Sequence, residues 1–190
     1  FGGAFVDRDQ CGPEHFQSWM EWAKERGMKL DFNSTSFSHP NSGTLSLSNP
    51  DKAVRDFWIE HTKRCRRIAD AMGAYQGDPC IMNIWVHDGS KDYTVEKYRY
   101  RQIFKESLDE IMKEDLPNMK TCLEAKLFGI GLEAYTVGSH DFVAGYCAQN
   151  KMINTLDTGH YEPTENVSDA VSALLHIVTE LMLNVTSTKN

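Results

Sequence analysis

Cys80-Ile-Met-Asn-Ile-Trp-Val86 is a short apolar run that breaks at the turn-forming stretch His87-Asp-Gly-Ser-Lys-Asp92. A run of this length, closed by Asp, Gly and Ser, reads as a buried strand. Downstream the periodicity predicts a helix over 95–114, with Ile103, Leu108, Ile111 and Met112 on its apolar side, and Pro117 bars its continuation. Upstream, Asn49-Pro50-Asp51 opens another helix, since a first-turn proline gives up no hydrogen bond and an acid suits that end of the helix dipole. That helix is expected to run to about Met72 and to end at Gly73. Its charged residues Lys63, Arg64, Arg66 and Arg67 read as a solvated face.

The same alternation extends outward in both directions. Pro13-Glu14-His15 opens a helix with Phe16, Trp19, Met20 and Ala23 at helical spacing, running to Arg26 and capped by Gly27. A short apolar segment, Met28–Phe32, follows, then a polar loop over 33–49. Further on come a strand at Thr121–Glu124, a loop holding Gly129 and Gly131, and a helix ending near Asn150. A strand at Met152–Leu156, a loop over 157–165, a helix from about Val167 and a last strand at Leu181–Val185 complete the pattern. Helix and strand alternate five times, which argues for parallel strands with crossover helices and the α/β class. No repeat of solenoid length is present.

A chain of 190 residues corresponds to one domain or part of a larger one, here taken as a single unit over 1–190. The net charge of -7 argues against nucleic acid or an anionic membrane as partner, because both select a basic face. No apolar run reaches the roughly 18 residues of a spanning helix. Phe1-Gly-Gly-Ala-Phe-Val6 lacks the basic and apolar regions of a secretory signal and begins without Met, as though cut from something longer. The five cysteines are odd in number and widely spaced without a CxxC pair, so reduced, mostly buried thiols in a cytoplasmic protein are expected. The sequons at Asn33, Asn166 and Asn184 are read as chance.

The polar residues gather at one place in each unit. Asn33 and His39 follow the first strand. Trp85, His87 and Asp88 end the second, Glu124 and Lys126 the third, and Asp157 and His160 the fourth. In parallel α/β folds that end of the strands is where ligands bind. Glu124 and Asp157 stand at equivalent heights on different strands, and two carboxylates converging in an apolar mouth repel unless a cation lies between them. Carboxylates with an imidazole suit a divalent ion such as Mn²⁺, Mg²⁺, Co²⁺ or Zn²⁺. Each residue also has a plainer reading: Glu124 as a cap or salt bridge, His160 as a satisfied loop histidine, Lys126 as a snorkelling side chain and Trp85 as core. His15, His61, His140 and His176 lie in or beside helical patterns and read as structural.

The stretches Leu30-Asp-Phe-Asn-Ser-Thr-Ser-Phe-Ser-His-Pro40, Asn83-Ile-Trp-Val-His-Asp-Gly89, Leu123-Glu-Ala-Lys-Leu-Phe-Gly-Ile-Gly131, Tyr135-Thr-Val-Gly-Ser139 and Leu156-Asp-Thr-Gly-His160 resemble the L-rhamnose isomerase family in order and spacing. Gly12-Pro-Glu-His-Phe and Trp22-Ala-Lys24 do so too. The resemblance implies a (β/α)₈ TIM-type barrel, here with about five βα units, so an incomplete barrel. It implies two divalent metals, often Mn²⁺, a sugar substrate and usually a homotetramer. Carried over, Glu124 and Asp157 hold a structural metal. His160 helps hold a catalytic one, which activates a water and polarises O1 and O2. Lys126 hydrogen-bonds the sugar near O1, Trp85 forms an apolar wall, and His39 lies in a matching motif on the substrate side.

Two departures stand against the family pattern. Asn184 occupies a position where the family carries a metal-binding histidine, and a neutral amide oxygen is a poorer ligand for a transition metal. The family's further acidic ligands lie in an Asp-x-Asp segment beyond this chain's Thr186-Ser-Thr-Lys-Asn190, so the second metal is expected to be weak or missing. Three readings therefore stay open: an L-rhamnose isomerase, an inactive rhamnose-isomerase-like fragment that binds at most a sugar or a partner, and another xylose-isomerase-like barrel such as an epimerase or metal-dependent endonuclease.

Overall fold

The protein is described by a computed structural model over residues 4–127 and 133–186, so the loop glycines Gly129 and Gly131 lie outside the described residues. Five strands form one parallel sheet: β1 (Phe32–Thr35), β2 (Cys80–Trp85), β4 (Met119–Glu124), β6 (Ile153–Asp157) and β7 (Leu181–Asn184), in the order β1-β2-β4-β6-β7. The crossovers are helical: α2 (Lys52–Gln76), α3 (Lys97–Ile111), α4 (His140–Asn150) and α5 (Val167–Leu174). A 3₁₀ turn at Pro13–Phe16 leads into α1 (Gln17–Glu25), as the Pro13 start predicts, and Gly27 takes the left-handed conformation with φ +63°. The fold is α/β of the (β/α)₈ type with five parallel strands.

Side-chain alternation splits the sheet into two faces. Met82, Ile84 and Leu123 turn toward the helices. There they join Trp58, Ile68 and Met72 of α2 and Phe104, Leu108 and Ile111 of α3 in one buried cluster. The opposite face is polar and holds Asn83, Cys122, Glu124, Thr155 and Asp157, all buried. A continuous apolar strand such as Cys80–Val86 thus conceals one inward amide, which its periodicity did not expose.

Several boundaries differ from the sequence expectation. The first strand is Phe32–Thr35 rather than Met28–Phe32, because Phe32 to Thr35 pair in register with Met82 to Trp85. Met28 is instead exposed. α2 opens later than expected: Asp51 is its cap rather than a first-turn acid, its side chain accepting from Ala53 N at 2.9 Å, and Pro50 lies before the helix. The helix passes Gly73 and ends at Gly77, whose φ of +69° is the left-handed cap. Gly73 serves packing: a Cβ there would lie 1.7 Å from the Asn118 carbonyl oxygen, which itself accepts from Cys80 N. Arg66 is also not on a solvated face. It is 4% exposed, and its guanidinium donates to the Ile111 and Glu114 carbonyls and to Thr121 Oγ1. α3 starts at Lys97 and leaves Val95 exposed.

A second, two-stranded antiparallel sheet joins β3 (Gly89–Ser90) to β5 (Tyr135–Thr136). Neither strand is long enough to leave a periodic signal. No helix among the described residues is long and apolar enough to cross a membrane.

Gly73→Ala is expected to destabilise the chain by about 1–3 kcal/mol, as over-packing against fixed backbone does. Urea denaturation measures this, and an unchanged midpoint would refute the close approach of α2 to the turn before β4.

Candidate functional site

β4 and β6 end side by side, with Glu124 in register with Thr155 and Asp157 two residues beyond. β6 runs directly into a 3₁₀ turn, Thr158–His160, started by Asp157, whose Oδ1 accepts from Gly159 N at 2.7 Å. The turn carries His160 back over the strand ends. Glu124, Asp157 and His160 then offer ligand atoms that all lie within 4.8 Å of one another. Gly159 leaves room for Thr186 against this turn: a Cβ would sit 2.4 Å from Thr186 Oγ1 and 3.2 Å from Asp157 Oδ1.

Both carboxylates are about 6% exposed. Glu124 Oε2 accepts from Asn83 Nδ2 at 2.5 Å, and Glu124 Oε1 lies 3.2 Å from His160 Nδ1. His160 Nδ1 also donates to the Ala125 carbonyl at 2.9 Å. Asp157 Oδ1 accepts from Thr186 Oγ1 at 2.6 Å, and Asp157 Oδ2 accepts from Asn184 Nδ2 at 2.9 Å. Asn184 therefore stands beside the candidate ligands and spends its amide hydrogen on one of them. Burial acts to lower the His160 pKa, but the hydrogen bonds to Glu124 and Ala125 and the charge of Asp157 outweigh it, and the pKa is raised. A proton is thus drawn to the place where two buried acids meet, and a divalent cation answers the same field. Two carboxylates and an imidazole form a donor set that fits such an ion.

Lys126 and Trp85 lie beside this cluster. The Trp85 and His160 rings are 6.2 Å apart and tilted by 31°, and the Lys126 ammonium is 5.8 Å from the Trp85 ring centroid. Lys126 does not snorkel. It is 5% exposed, donates to the His87 carbonyl at 3.0 Å and forms an ion pair with Glu133. The structure does not leave His39 in the same state. Its Nε2 meets Asp7 Oδ1 at 3.0 Å, its Nδ1 accepts from Asn41 N, and its ring stacks on Phe57.

Asn83 and Glu133 join the site without being expected from the sequence. Asn83 had a signal in retrospect, as the one amide inside an apolar run. Glu133 had none, because only the β3–β5 pairing brings it to Lys126. Asp88, named at a strand end, is a structural anchor: its carboxylate accepts from the backbone and hydroxyls of Ser46 and Ser48. His87 is likewise held by the Ser42 and Gly43 carbonyls.

Removing one carboxylate is expected to abolish ion binding. Glu124→Gln should show no Mn²⁺ uptake by elemental analysis after dialysis, and unchanged metal content would refute the site. The pH dependence follows from His160. In the metal-free chain its raised pKa contributes stability that is complete below the ordinary value near 6.5 and is lost as pH rises through the raised value. Mn²⁺ requires the neutral ring, so its affinity should fall by about tenfold per pH unit below that raised value. Calorimetric titration across pH checks this, and a flat profile would contradict it.

The L-rhamnose isomerase family model matches residues 2–189. The L-rhamnose isomerase of Bacteroides thetaiotaomicron is 65% identical over 185 residues, covering 97% of this chain and 44% of that protein. That of Mannheimia succiniciproducens is 49% identical over 182 residues, covering 95% of this chain and 44% of its own. The crystal structure of SacUVDE matches with a TM-score of 0.58 at 13% identity, covering 93% of this chain and 54% of its own, a likeness of fold alone. This chain thus spans under half the length of the curated relatives it matches. Over that span, the agreement of sequence in the family's order leaves one conclusion: the chain belongs to the L-rhamnose isomerase family.

Proposed function

We propose that this chain carries part of the active site of a divalent-metal-dependent isomerase that interconverts L-rhamnose and L-rhamnulose. The observation that supports it most is the meeting of Glu124, Asp157 and His160 within 4.8 Å, beside a buried Lys126 and an aromatic ring. Glu124 and Asp157 would hold one ion and His160 would help hold a second. Mn²⁺ is the first choice, with Zn²⁺, Co²⁺ or Mg²⁺ as substitutes. The ions would stabilise negative charge on O1 and O2 as hydrogen moves between C1 and C2.

The chain's own residues do the rest. Lys126 presents an ammonium to the oxygen at C1, where its charge is worth most in a site shielded from water. Trp85 packs against the C–H face of the sugar and excludes solvent. His39 is kept as a residue of the substrate side, its two ring nitrogens engaged by Asp7 and Asn41. Residues 1–190 act as one partial barrel unit. The remaining metal ligands belong to the further length that the relatives have, and the assembly follows the family in being a cytoplasmic homotetramer.

A second reading, a chain that binds sugar or a partner without turnover, draws on Asn184. Its amide donates to Asp157 where an imidazole would bind metal directly. Titrating Mn²⁺ into the chelator-stripped full-length protein, with L-rhamnose turnover followed on the same sample, separates the two. Tight binding with turnover supports the isomerase, and tight binding without turnover supports the second reading. Asn184→His is expected to tighten Mn²⁺ by about tenfold or more. No gain in affinity would remove Asn184 from the metal's surroundings.

A further inference from the structure

The ion pair between Lys126 and Glu133 buries two charges, with side chains 5% and 6% exposed. Such a pair is a weak source of stability, because desolvation offsets the attraction. The fold nevertheless makes specific provision for it. Gly89 of β3 pairs with Thr136 of β5, and Ala134 N donates to the Ser90 carbonyl at 2.8 Å, which fixes the residue just before it. A Cβ on Gly89 would lie 2.5 Å from the Tyr135 carbonyl oxygen and 3.1 Å from Glu133 Cγ, so the missing side chain is the seat of the Glu133 stem. The same segment also meets the Lys126 backbone, whose N–H donates to the Gly138 carbonyl at 2.8 Å.

We propose that Glu133, delivered by the small β3–β5 sheet rather than by the barrel strands, is the residue that positions the Lys126 ammonium for the sugar. The inference rests on the isomerase reading above. An ammonium has three hydrogens. Glu133 holds the group through the ion pair, and the His87 carbonyl, at 3.0 Å, accepts one of the hydrogens. The Trp85 face, 5.8 Å away, bounds the ammonium on a further side. Together these contacts fix where the ammonium stands, and its remaining hydrogens serve the sugar. Glu133 touches neither sugar nor metal in this scheme and acts only through Lys126.

The test uses Glu133→Gln, Glu133→Asp and Lys126→Met in the full-length protein, with L-rhamnose kinetics, Mn²⁺ content and the ¹⁵N-edited signal of the Lys126 ammonium as readouts. Glu133→Gln should lower kcat by about 10²-fold, the scale of a misplaced catalytic group. KM should move much less, and Mn²⁺ content should not change. The slowly exchanging ammonium signal should vanish, and Glu133→Asp should restore part of both signal and rate. If Glu133→Gln alone does not fold, the double variant Lys126→Met/Glu133→Gln, which lacks both charges, should fold and match Lys126→Met in kcat. An unchanged ammonium signal, an unchanged kcat, or a further drop in the double variant would overturn the role of Glu133 while leaving the isomerase reading intact. Absence of L-rhamnose turnover in the unsubstituted protein would overturn both.

Discussion

Asn83 ties three strands together at the point where the chemistry gathers. Its Nδ2 donates to Glu124 Oε2 of β4 at 2.5 Å, and its Oδ1 accepts from Thr155 Oγ1 of β6 at 2.9 Å and from Cys122 Sγ at 3.4 Å. All of these groups are buried on the polar face of the sheet. A buried polar network of this kind tolerates little, since any member left unpaired carries its full desolvation cost. Satisfying it requires β2, β4 and β6 to hold one register. That register sets Glu124 and Asp157 beside each other. The apolar cluster against α2 and α3 holds the sheet together, while the network on the other face decides which residues meet at its mouth.

Electrostatics then shapes the mouth. Two carboxylates, each about 6% exposed, share a small space with an imidazole whose pKa they raise. Asp157 is further steadied by Gly159 N, Thr186 Oγ1 and Asn184 Nδ2. Lys126 carries its own counter-charge in Glu133, so its positive charge is held rather than lent to the acids. The result is a buried acidic cluster beside a fixed cation, an arrangement suited to a metal ion.

Much of this was legible from the residues. The alternation of helical and strand patterns gave the five parallel strands, and the placement of Glu124, Lys126, Asp157 and His160 at strand ends follows from it. What escaped has physical reasons. The first strand was misplaced because apolar Met28 and Leu30 imitate a strand, whereas pairing with β2 selects Phe32–Thr35. Gly73 read as a helix stop because a glycine's use in close packing against Asn118 leaves no mark in the local sequence. Arg66 read as surface because its partners, the carbonyls of Ile111 at the end of α3 and of Glu114 beyond it, come from distant sequence. Glu133 was invisible because strands as short as β3 and β5 have no period to detect.

The register of β4 and β6 brings Glu124, Asp157 and His160 together as a candidate cation site. The most direct measurement is an anomalous difference map from crystals of the protein grown with Mn²⁺. A peak is expected within ligand distance of the Glu124 and Asp157 carboxylates, with the His160 ring turned toward bound metal. A fully occupied peak elsewhere, or none at these residues at saturating Mn²⁺, would contradict it.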